Sequence, residues 1–334
     1  MVFDTTASNT GPISGACILL ERLIGRDLLH LACRHHIFEL LLKTAFEVSM
    51  GCTSGPDVQI FKRFQNEWEN MDKTQYSPRV EDNTVKEALH CESADILAFA
   101  EEHLKDETIH RDYSEFLELV VIFLGGKLRG NRFRALGPIH HARWMAKAIY
   151  SLKICPFREQ FRLNLSQISG LMNTCIFIVL LYQRVWFTAS HIVTASNNYL
   201  NLLKRLAADA HCSSSVPSKV WKAVLEKFVK PLCYLPEELI ALAFFNENVD
   251  LECKRNMCQA IKSRPALDND RKRRRMRIDY LESMQKLSLD LLVTKHTIQF
   301  FNILKIDSSF LGSDPTTWET RDDFVAASKI VRSL

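Results

Sequence analysis

The chain has 334 residues, of which 43 are basic and 39 acidic, so its formal net charge is only +4. A composition of 47% hydrophobic and 25% charged residues is that of a soluble globular protein and excludes disorder over most of the length. The small net charge does not by itself indicate a nucleic-acid partner. Ten cysteines without a C-x-x-C pair exclude a small disulfide scaffold and indicate thiols that are mostly reduced and buried.

The N-terminus lacks the basic and apolar regions of a signal peptide, which favours a nuclear or cytoplasmic location. The most apolar run, Leu171 to Tyr182, is much shorter than the roughly 20 residues that a membrane span needs. We therefore expect it to be a buried core helix, and we expect no membrane partner.

The first fifty residues carry the pattern of a small α/β segment. A short strand ends at Asp4, a polar turn follows, a helix runs from Pro12 to about Ile24, and residues 28 to 33 form a second strand. An acid at the carboxyl end of a strand is where α/β folds commonly place a functional carboxylate. The alternative is that Asp4 only turns the chain.

The rest of the chain predicts helices. The helix from 36 to 50 should end at Gly51, and the long helix from 84 to 104 should turn Leu89, Ala94, Leu97 and Ala98 inward. The other predicted helices are 57–71, 113–124, 138–150, 158–186, 189–211, 217–229, 236–246, 251–262, 276–303 and a segment at 322–334. The fold class is therefore mainly α with a small α/β part.

These patterns suggest five successive regions. They are an α/β segment at 1–52, a helical continuation at 53–152, an all-α domain at 153–264, a basic linker at 265–277, and C-terminal helices at 278–334. The basic linker contains Arg271, Lys272, Arg273, Arg274, Arg275 and Arg277. Such a run is a candidate nuclear localisation signal or phosphate-binding patch, and the alternative is a solvated charge block.

Three short motifs could carry chemistry. Cys33 and His36 have the spacing of half a zinc site, but no second ligand pair follows, so a buried structural role is the better interpretation. Arg143 and Trp144, with the basic loop residues Arg132 and Arg134, could contact phosphate and stack on a base. The alternative for Trp144 is a place in the core. No simple nucleotide-binding motif or nucleophile elbow occurs.

Three blocks together resemble hAT-type DNA transposases. Asp4 to Asn9 is similar to the family's D-x-x-A-S-N block, Cys33 to His36 to its C-x-x-H block, and Ala142 to Trp144 to its T-R-W block. The resemblance implies a partial RNase H-like core followed by an all-helical insertion-type domain. It also implies that Asp4 is a metal-ligating catalytic carboxylate, that Cys33 and His36 shape the core, and that Arg143 and Trp144 lie at the DNA.

The resemblance is incomplete. The family's first catalytic Asp would lie upstream of Met1, and no counterpart of its last catalytic Glu occurs before Leu334. One carboxylate of three cannot build a two-metal site. We therefore expect a truncated or transposon-derived remnant that is not an enzyme and holds no cofactor, Mg²⁺ being required only by a complete site. DNA or a second copy of the chain is the expected partner.

Two other functions stay open at this point. One is a helical protein-interaction module without a nucleic-acid function. The other is an active nuclease or transferase, which needs more carboxylates around Asp4. The candidates on helices, each expected to lie on a solvated face, are Glu39, Glu47, Glu115 and Glu118.

Overall fold

A computed structural model of the chain describes residues 2–11, 13–51, 58–78, 82–127, 132–137, 145–211, 217–229, 234–265 and 284–334. Within these ranges the protein is mainly helical, as predicted, with a single pair of two-residue strands. The strands are β1 (Val2–Phe3) and β2 (Leu31–Ala32). The helices are α1 (Ala7–Thr10), α2 (Ala16–Ile24), α3 (Arg34–Met50), α4 (Gln59–Glu67), α5 (Asn83–Leu89), α6 (Ser93–His103), α7 (Arg111–Phe123), α8 (Ala146–Ile154), α9 (Leu165–Phe177), α10 (Gln183–Phe187), α11 (Ala195–His211), α12 (Ser218–Val229), α13 (Leu251–Ser263), α14 (Leu289–Leu292), α15 (Gln299–Leu304) and α16 (Asp322–Arg332).

Several helix ends follow directly from glycine. Gly25, Gly51 and Gly125 have φ angles of 70°, 92° and 87°, so each ends the preceding helix in the left-handed conformation that glycine adopts without strain. The predicted ends of α2, α3 and α7 are therefore confirmed.

Two helices that were predicted to be continuous are not continuous in the structure. The segment 84–104 forms α5 and α6 with a turn between them, which shifts the helical phase. Leu89 is buried as expected, but Ala94 and Ala98 are exposed, and Ile96 and Ala100 face inward instead. The helix expected from 138 to 150 does not include Met145, whose φ of 59° lies in the left-handed region, and α8 begins at Ala146, while residues 138–144 lie outside the described ranges.

The described part of the C-terminal half contains short helices where long ones were expected. Leu239–Phe245 is a 3₁₀ helix, and α14, the 3₁₀ helix Lys295–Ile298 and α15 together replace the end of the predicted helix 276–303. Helices α11, α12, α13 and α16 lie close to their predicted positions. Short turns of helix are common where tertiary packing, rather than propensity, holds the backbone.

The contact pattern divides the chain into two compact units. Unit 1 comprises Met1–Ile37, Thr188–Ala208 and Leu225–Leu334, and unit 2 comprises Phe38–Phe187 and Asp209–Val224. Each unit is therefore assembled from stretches that are distant in sequence.

Unit 1 contains the small sheet and a large aromatic core. β1 and β2 are parallel, with Val2 opposite Leu31 and Phe3 opposite Ala32. The aromatic core lies in the last hundred residues, where neighbouring ring centroids are 5.1 to 6.4 Å apart. Its members are Phe244, Phe245, Phe300, Phe301, Phe310, Trp318 and Phe324.

Unit 2 is built around the apolar run that was expected to be a core helix. Leu171, Cys175 to Val179, Leu181 and Tyr182 are buried, which confirms that expectation. The helical stretch Leu165–Ser190 is long and apolar enough to cross a membrane by length and composition alone, but 61% of its apolar window is buried inside the protein. Its second part is a π-helical turn, Ile178–Tyr182, which leads into α10.

Close packing in unit 2 explains why position 170 is a glycine. A Cβ atom on Gly170 would lie 2.3 Å from the carbonyl oxygen of Ser49 and 2.7 Å from the sulfur of Met50. Helices α9 and α3 therefore approach each other at a distance that only glycine allows.

Candidate functional site

Asp4 lies directly after β1 and is held by a local network. Its Oδ1 atom accepts hydrogen bonds from the Thr6 amide at 3.0 Å, the Thr6 hydroxyl at 2.6 Å and the Asn9 side-chain amide at 2.7 Å. The Thr6 bonds, the Asn9 bond and the charge of His36 hold the pKa of Asp4 below its usual value. The Asp4 to Asn9 block thus folds as one turn in which Asn9 orients the carboxylate.

Cys33 and His36 follow the neighbouring strand. Cys33 comes directly after β2, and its amide donates to the carbonyl of Phe3 at 2.7 Å. Because β1 and β2 are parallel, Asp4 and Cys33 lie next to each other at the carboxyl ends of the two strands. His36 lies in the first turn of α3 and acts electrostatically on Asp4. The first two motif blocks therefore meet within unit 1.

The described residues at the carboxyl ends of β1 and β2 do not provide the ligands for a metal ion. Within the described ranges, no group of three or more His, Cys, Asp and Glu side chains is arranged to hold a metal. Asp4 contributes one carboxylate, and three donors already engage its Oδ1 atom. Magnesium prefers near-octahedral oxygen coordination, so the residues present do not fit a catalytic Mg²⁺ site.

Arg34, between the two residues of the C-x-x-H block, is a buried cation that the sequence did not reveal. Only 3% of it is exposed. Its Nη1 atom donates to the carbonyl oxygens of Thr188 at 3.0 Å, Ala189 at 3.2 Å and His191 at 3.0 Å. The guanidinium also lies 5.8 Å from the ring centroids of both Tyr199 and Tyr234.

These contacts compensate for burying the charge. Desolvation lowers the pKa of Arg34, while the neighbouring Tyr199 and Tyr234 oppose that shift. Tyr234 also donates its hydroxyl hydrogen to the carbonyl of Ala32 on β2 at 2.7 Å. Arg34 therefore fastens the start of α3 to the 188–191 turn, and its role in this arrangement is structural.

The candidate DNA-contacting arginines differ in their surroundings. Arg132 is exposed. Arg134 donates to Glu118 at 2.7 Å, to the Ser114 hydroxyl at 2.9 Å and to the carbonyl of Arg111 at 2.6 Å. The Arg134 guanidinium thus fastens its loop to α7, while the proposed contact of either arginine with DNA stays a prediction.

Other predicted site residues lie outside the part of the chain that the structure describes. They are Arg143, Trp144 and the basic run Arg271, Lys272, Arg273, Arg274, Arg275 and Arg277.

The expectation of solvated glutamates is wrong for three of the four candidates. Glu115 and Glu118 are only 4% and 9% exposed. Glu115 pairs with Lys153, and Glu118 pairs with Arg134. Glu39 is half-buried and accepts hydrogen bonds from the Met145 amide at 2.8 Å and from the Tyr182 hydroxyl.

Glu47 comes nearest to the expectation, since it is half-buried but makes a helix-surface pair with Lys43 at 3.7 Å. A helical pattern does not distinguish a solvated glutamate from a buried one, because the partner comes from a distant part of the chain. Lys153 within the apolar helix 146–154 is the one available signal, since a buried cation requires a buried acid.

No family model, curated protein or solved structure with which the chain was compared matches it.

Proposed function

We propose that the chain is a transposable-element-derived protein, the catalytically inactive remnant of an hAT-type DNA transposase, which acts by binding DNA or by self-association. The observation that carries the proposal is the meeting of Asp4 with Cys33 and His36 at the ends of two adjacent parallel strands. The carboxyl ends of parallel strands are where α/β folds place their functional groups. The partial RNase H-like core belongs to the same proposal.

Inactivity is supported by the surroundings of Asp4. Two-metal phosphoryl chemistry needs several carboxylates that converge on ions about 4 Å apart. Asp4 is one carboxylate with its Oδ1 atom engaged by three donors, and Glu115 and Glu118 are neutralised by their own cations.

A cleavage assay tests the catalytic half of the proposal. The full chain, its Asp4→Ala variant and a Glu47→Gln control are incubated with labelled duplex DNA and either Mg²⁺ or Mn²⁺. We expect no strand cut above background with any of the three proteins. A metal-dependent cut by the wild type that Asp4→Ala abolishes and Glu47→Gln retains would overturn the proposal.

A salt titration tests the binding half. The slope of log K against log salt concentration measures the number of phosphates that the protein neutralises. We expect a negative slope that becomes shallower by about one phosphate contact in Arg143→Gln, and a weaker complex in Trp144→Ala by roughly 1–3 kcal/mol. Arg22→Gln, at an exposed position in unit 1, is the control. A slope near zero argues against DNA.

A helical protein-interaction module is the second candidate, and α2 favours it. This helix exposes several apolar side chains to solvent, and Leu23 is 83% exposed. The others are Leu19, Leu20 and Ile24, with Ile13 just before the helix. Exposed apolar side chains that are grouped together often mark a protein contact.

Sedimentation tests whether α2 forms a contact between two copies of the chain, and the salt titration tests DNA binding. If α2 associates with a second copy of the chain, the wild type shows a concentration-dependent larger species that Leu23→Glu removes and Arg22→Gln does not. A monomer at all concentrations that binds DNA with a clear salt slope favours the first function.

A further inference from the structure

Helix α2 is attached to unit 1 by one of its sides. Cys17 on that side is buried, and Glu21 is half-buried. The Oε1 atom of Glu21 accepts a hydrogen bond from the Leu28 amide at 2.9 Å and lies 3.0 Å from the Nε2 atom of His30. These contacts hold the helix in one orientation, so that its opposite side is presented to solvent.

The opposite side of α2 is apolar. Its residues are three or four positions apart, so they share one face of the helix. We call this the outer face, and its members, all exposed, are Ala16, Leu19, Leu20, Leu23 and Ile24. The four large side chains among them are between 39% and 83% exposed. A charge-free aliphatic face of this kind has the composition of the centre of a protein interface.

The charges beside the outer face are balanced. Two basic residues, Arg22 and Arg26, accompany two acidic ones, Glu21 and Asp27. An anionic lipid surface or a nucleic acid requires an excess of basic residues next to the apolar side chains. The balance therefore favours a protein partner whose own charges are balanced, which a second copy of the chain provides.

The outer face is complementary to itself about a two-fold axis. When two copies of α2 are placed antiparallel with Leu20 opposite the partner's Leu23, Leu19 comes to lie opposite the partner's Ile24. Each of these contacts occurs twice, as a symmetric interface between identical chains requires. Ala16 then faces the turn that follows the partner's helix, where its small side chain leaves room. Every large side chain of the outer face is thus covered by another aliphatic side chain.

The ends of α2 favour the antiparallel orientation. The first turn contains no acidic residue, and the N-cap, Gly15, has no side chain that could accept a hydrogen bond. The positive end of the helix dipole is therefore not neutralised by the helix itself. Antiparallel packing places this end beside the negative end of the partner helix, whereas parallel packing would bring two positive ends together.

We propose that α2 is the contact of a symmetric dimer, in which the outer faces of two copies of the chain pack antiparallel with Leu20 against the partner's Leu23. The inference rests on the self-association named in the proposed function. The face of one nine-residue helix is smaller than the roughly 800 Å² per partner of a standard interface, so the dimer is weak and forms only at high protein concentration.

Sedimentation of the full chain over a wide concentration range, with a charge-exchange experiment, tests the dimer. We expect a monomer–dimer equilibrium in the wild type, and a dissociation constant raised about tenfold or more in both Leu20→Lys and Leu23→Glu. An equimolar mixture of the two variants should associate again. The reason is that the introduced lysine faces the introduced glutamate only in the antiparallel pairing, while the remaining Leu20 and Leu23 face each other.

Two control variants match the test. Leu165→Glu changes a leucine that is 86% exposed at the start of α9, compared with 83% for Leu23. Arg22→Gln changes an exposed residue of α2 outside the outer face. Both should associate as the wild type does, and circular dichroism checks the fold of each variant. If Leu20→Lys does not fold, Leu19→Lys mixed with Ile24→Glu makes the same test at the neighbouring pair.

Three results would overturn the dimer, and they differ in what they leave standing. A wild type that is monomeric at every concentration removes self-association, while the salt titration still decides DNA binding. A dimer that Leu23→Glu does not weaken places self-association elsewhere on the chain and rejects the contact through α2. Weakening in both variants without recovery in their mixture rejects the antiparallel pairing.

Discussion

The environment of Arg34 in the structure differs from the one that its sequence position suggests. In the sequence it is an unremarked position between Cys33 and His36, and an arginine is exposed in most proteins. In the structure it is buried against three carbonyl oxygens and two tyrosine rings. Carbonyl groups and ring faces carry the partial negative charge that a guanidinium needs once water is removed.

Replacing Arg34 should therefore destabilise the protein strongly. Arg34→Met removes a buried donor that three carbonyl oxygens share, so we expect a loss of roughly 2–4 kcal/mol in the free energy of unfolding. Arg34→Lys should recover only part of it, because an ammonium lacks the planar fork and the ring stacking. Chemical denaturation measures both losses.

Arg22→Met is the matched control for Arg34, because Arg22 is exposed in the same unit. It should change the free energy of unfolding by no more than about 0.5 kcal/mol. If Arg34→Met is equally mild, the guanidinium does not fasten the 188–191 turn.

At the scale of elements, buried ion pairs join helices whose sequences look merely amphipathic. Lys153 on α8 is 1% exposed and donates to Glu115 on α7 and to the carbonyl of Arg134 at 2.9 Å. Its ammonium group also lies 5.5 Å from the ring centroid of Trp68. A buried ion pair is costly to break on one side, because the remaining charge stays buried without compensation.

We expect the single variants Glu115→Leu and Lys153→Met each to lose roughly 3–5 kcal/mol of stability. The double variant should be much closer to the wild type, since it buries no charge. A double-mutant cycle by chemical denaturation measures the coupling.

The exposed pair of Lys105 and Glu102 provides the comparison for that cycle. Its atoms are 2.5 Å apart, but both side chains are more than two-thirds exposed. Its coupling should not exceed about 1 kcal/mol. Equal coupling in the two pairs would mean that burial does not strengthen the contact of α7 with α8.

At the scale of the whole molecule, the cysteines report on the state of the core. Of the seven cysteines that the structure describes, Cys17, Cys155, Cys175 and Cys258 are buried and only Cys91 is exposed. Burial raises the pKa of the Cys258 thiol to about 11 and also raises that of Cys253. The reactive species is the thiolate, so these two thiols react slowly while the protein is folded.

Thiol labelling at pH 8, mapped by mass spectrometry, should modify Cys91 first among the seven cysteines that the structure describes. The four buried cysteines should be labelled only as fast as their surroundings unfold, which makes their rates a measure of local stability in each unit. Cys91→Ser should remove labelling at this position and leave the rates of the other described cysteines unchanged. Rapid labelling of Cys175 or Cys258 in native protein would contradict the described packing.

The sequence by itself determined the local features. Glycines in the left-handed conformation end α2, α3 and α7, and apolar residues at helical spacing mark buried faces such as Tyr199, Leu202, Leu203 and Leu206. These features depend on neighbours within a few residues, so the pattern contains them. The same holds for the turn in which Asn9 meets Asp4, although its bonds appear only in the structure.

Tertiary structure alone decided the features that depend on distant partners. It divided the helix predicted at 84–104, placed Met145 in the left-handed region just before α8, and buried Arg34 and Glu115 against residues far away in sequence. From sequence alone, a charged side chain is expected to be exposed to solvent. Only a charge with a partner can be buried at an acceptable cost in free energy, and the partner is visible only in the tertiary structure. Glu115, paired with the buried Lys153, is the clearest case.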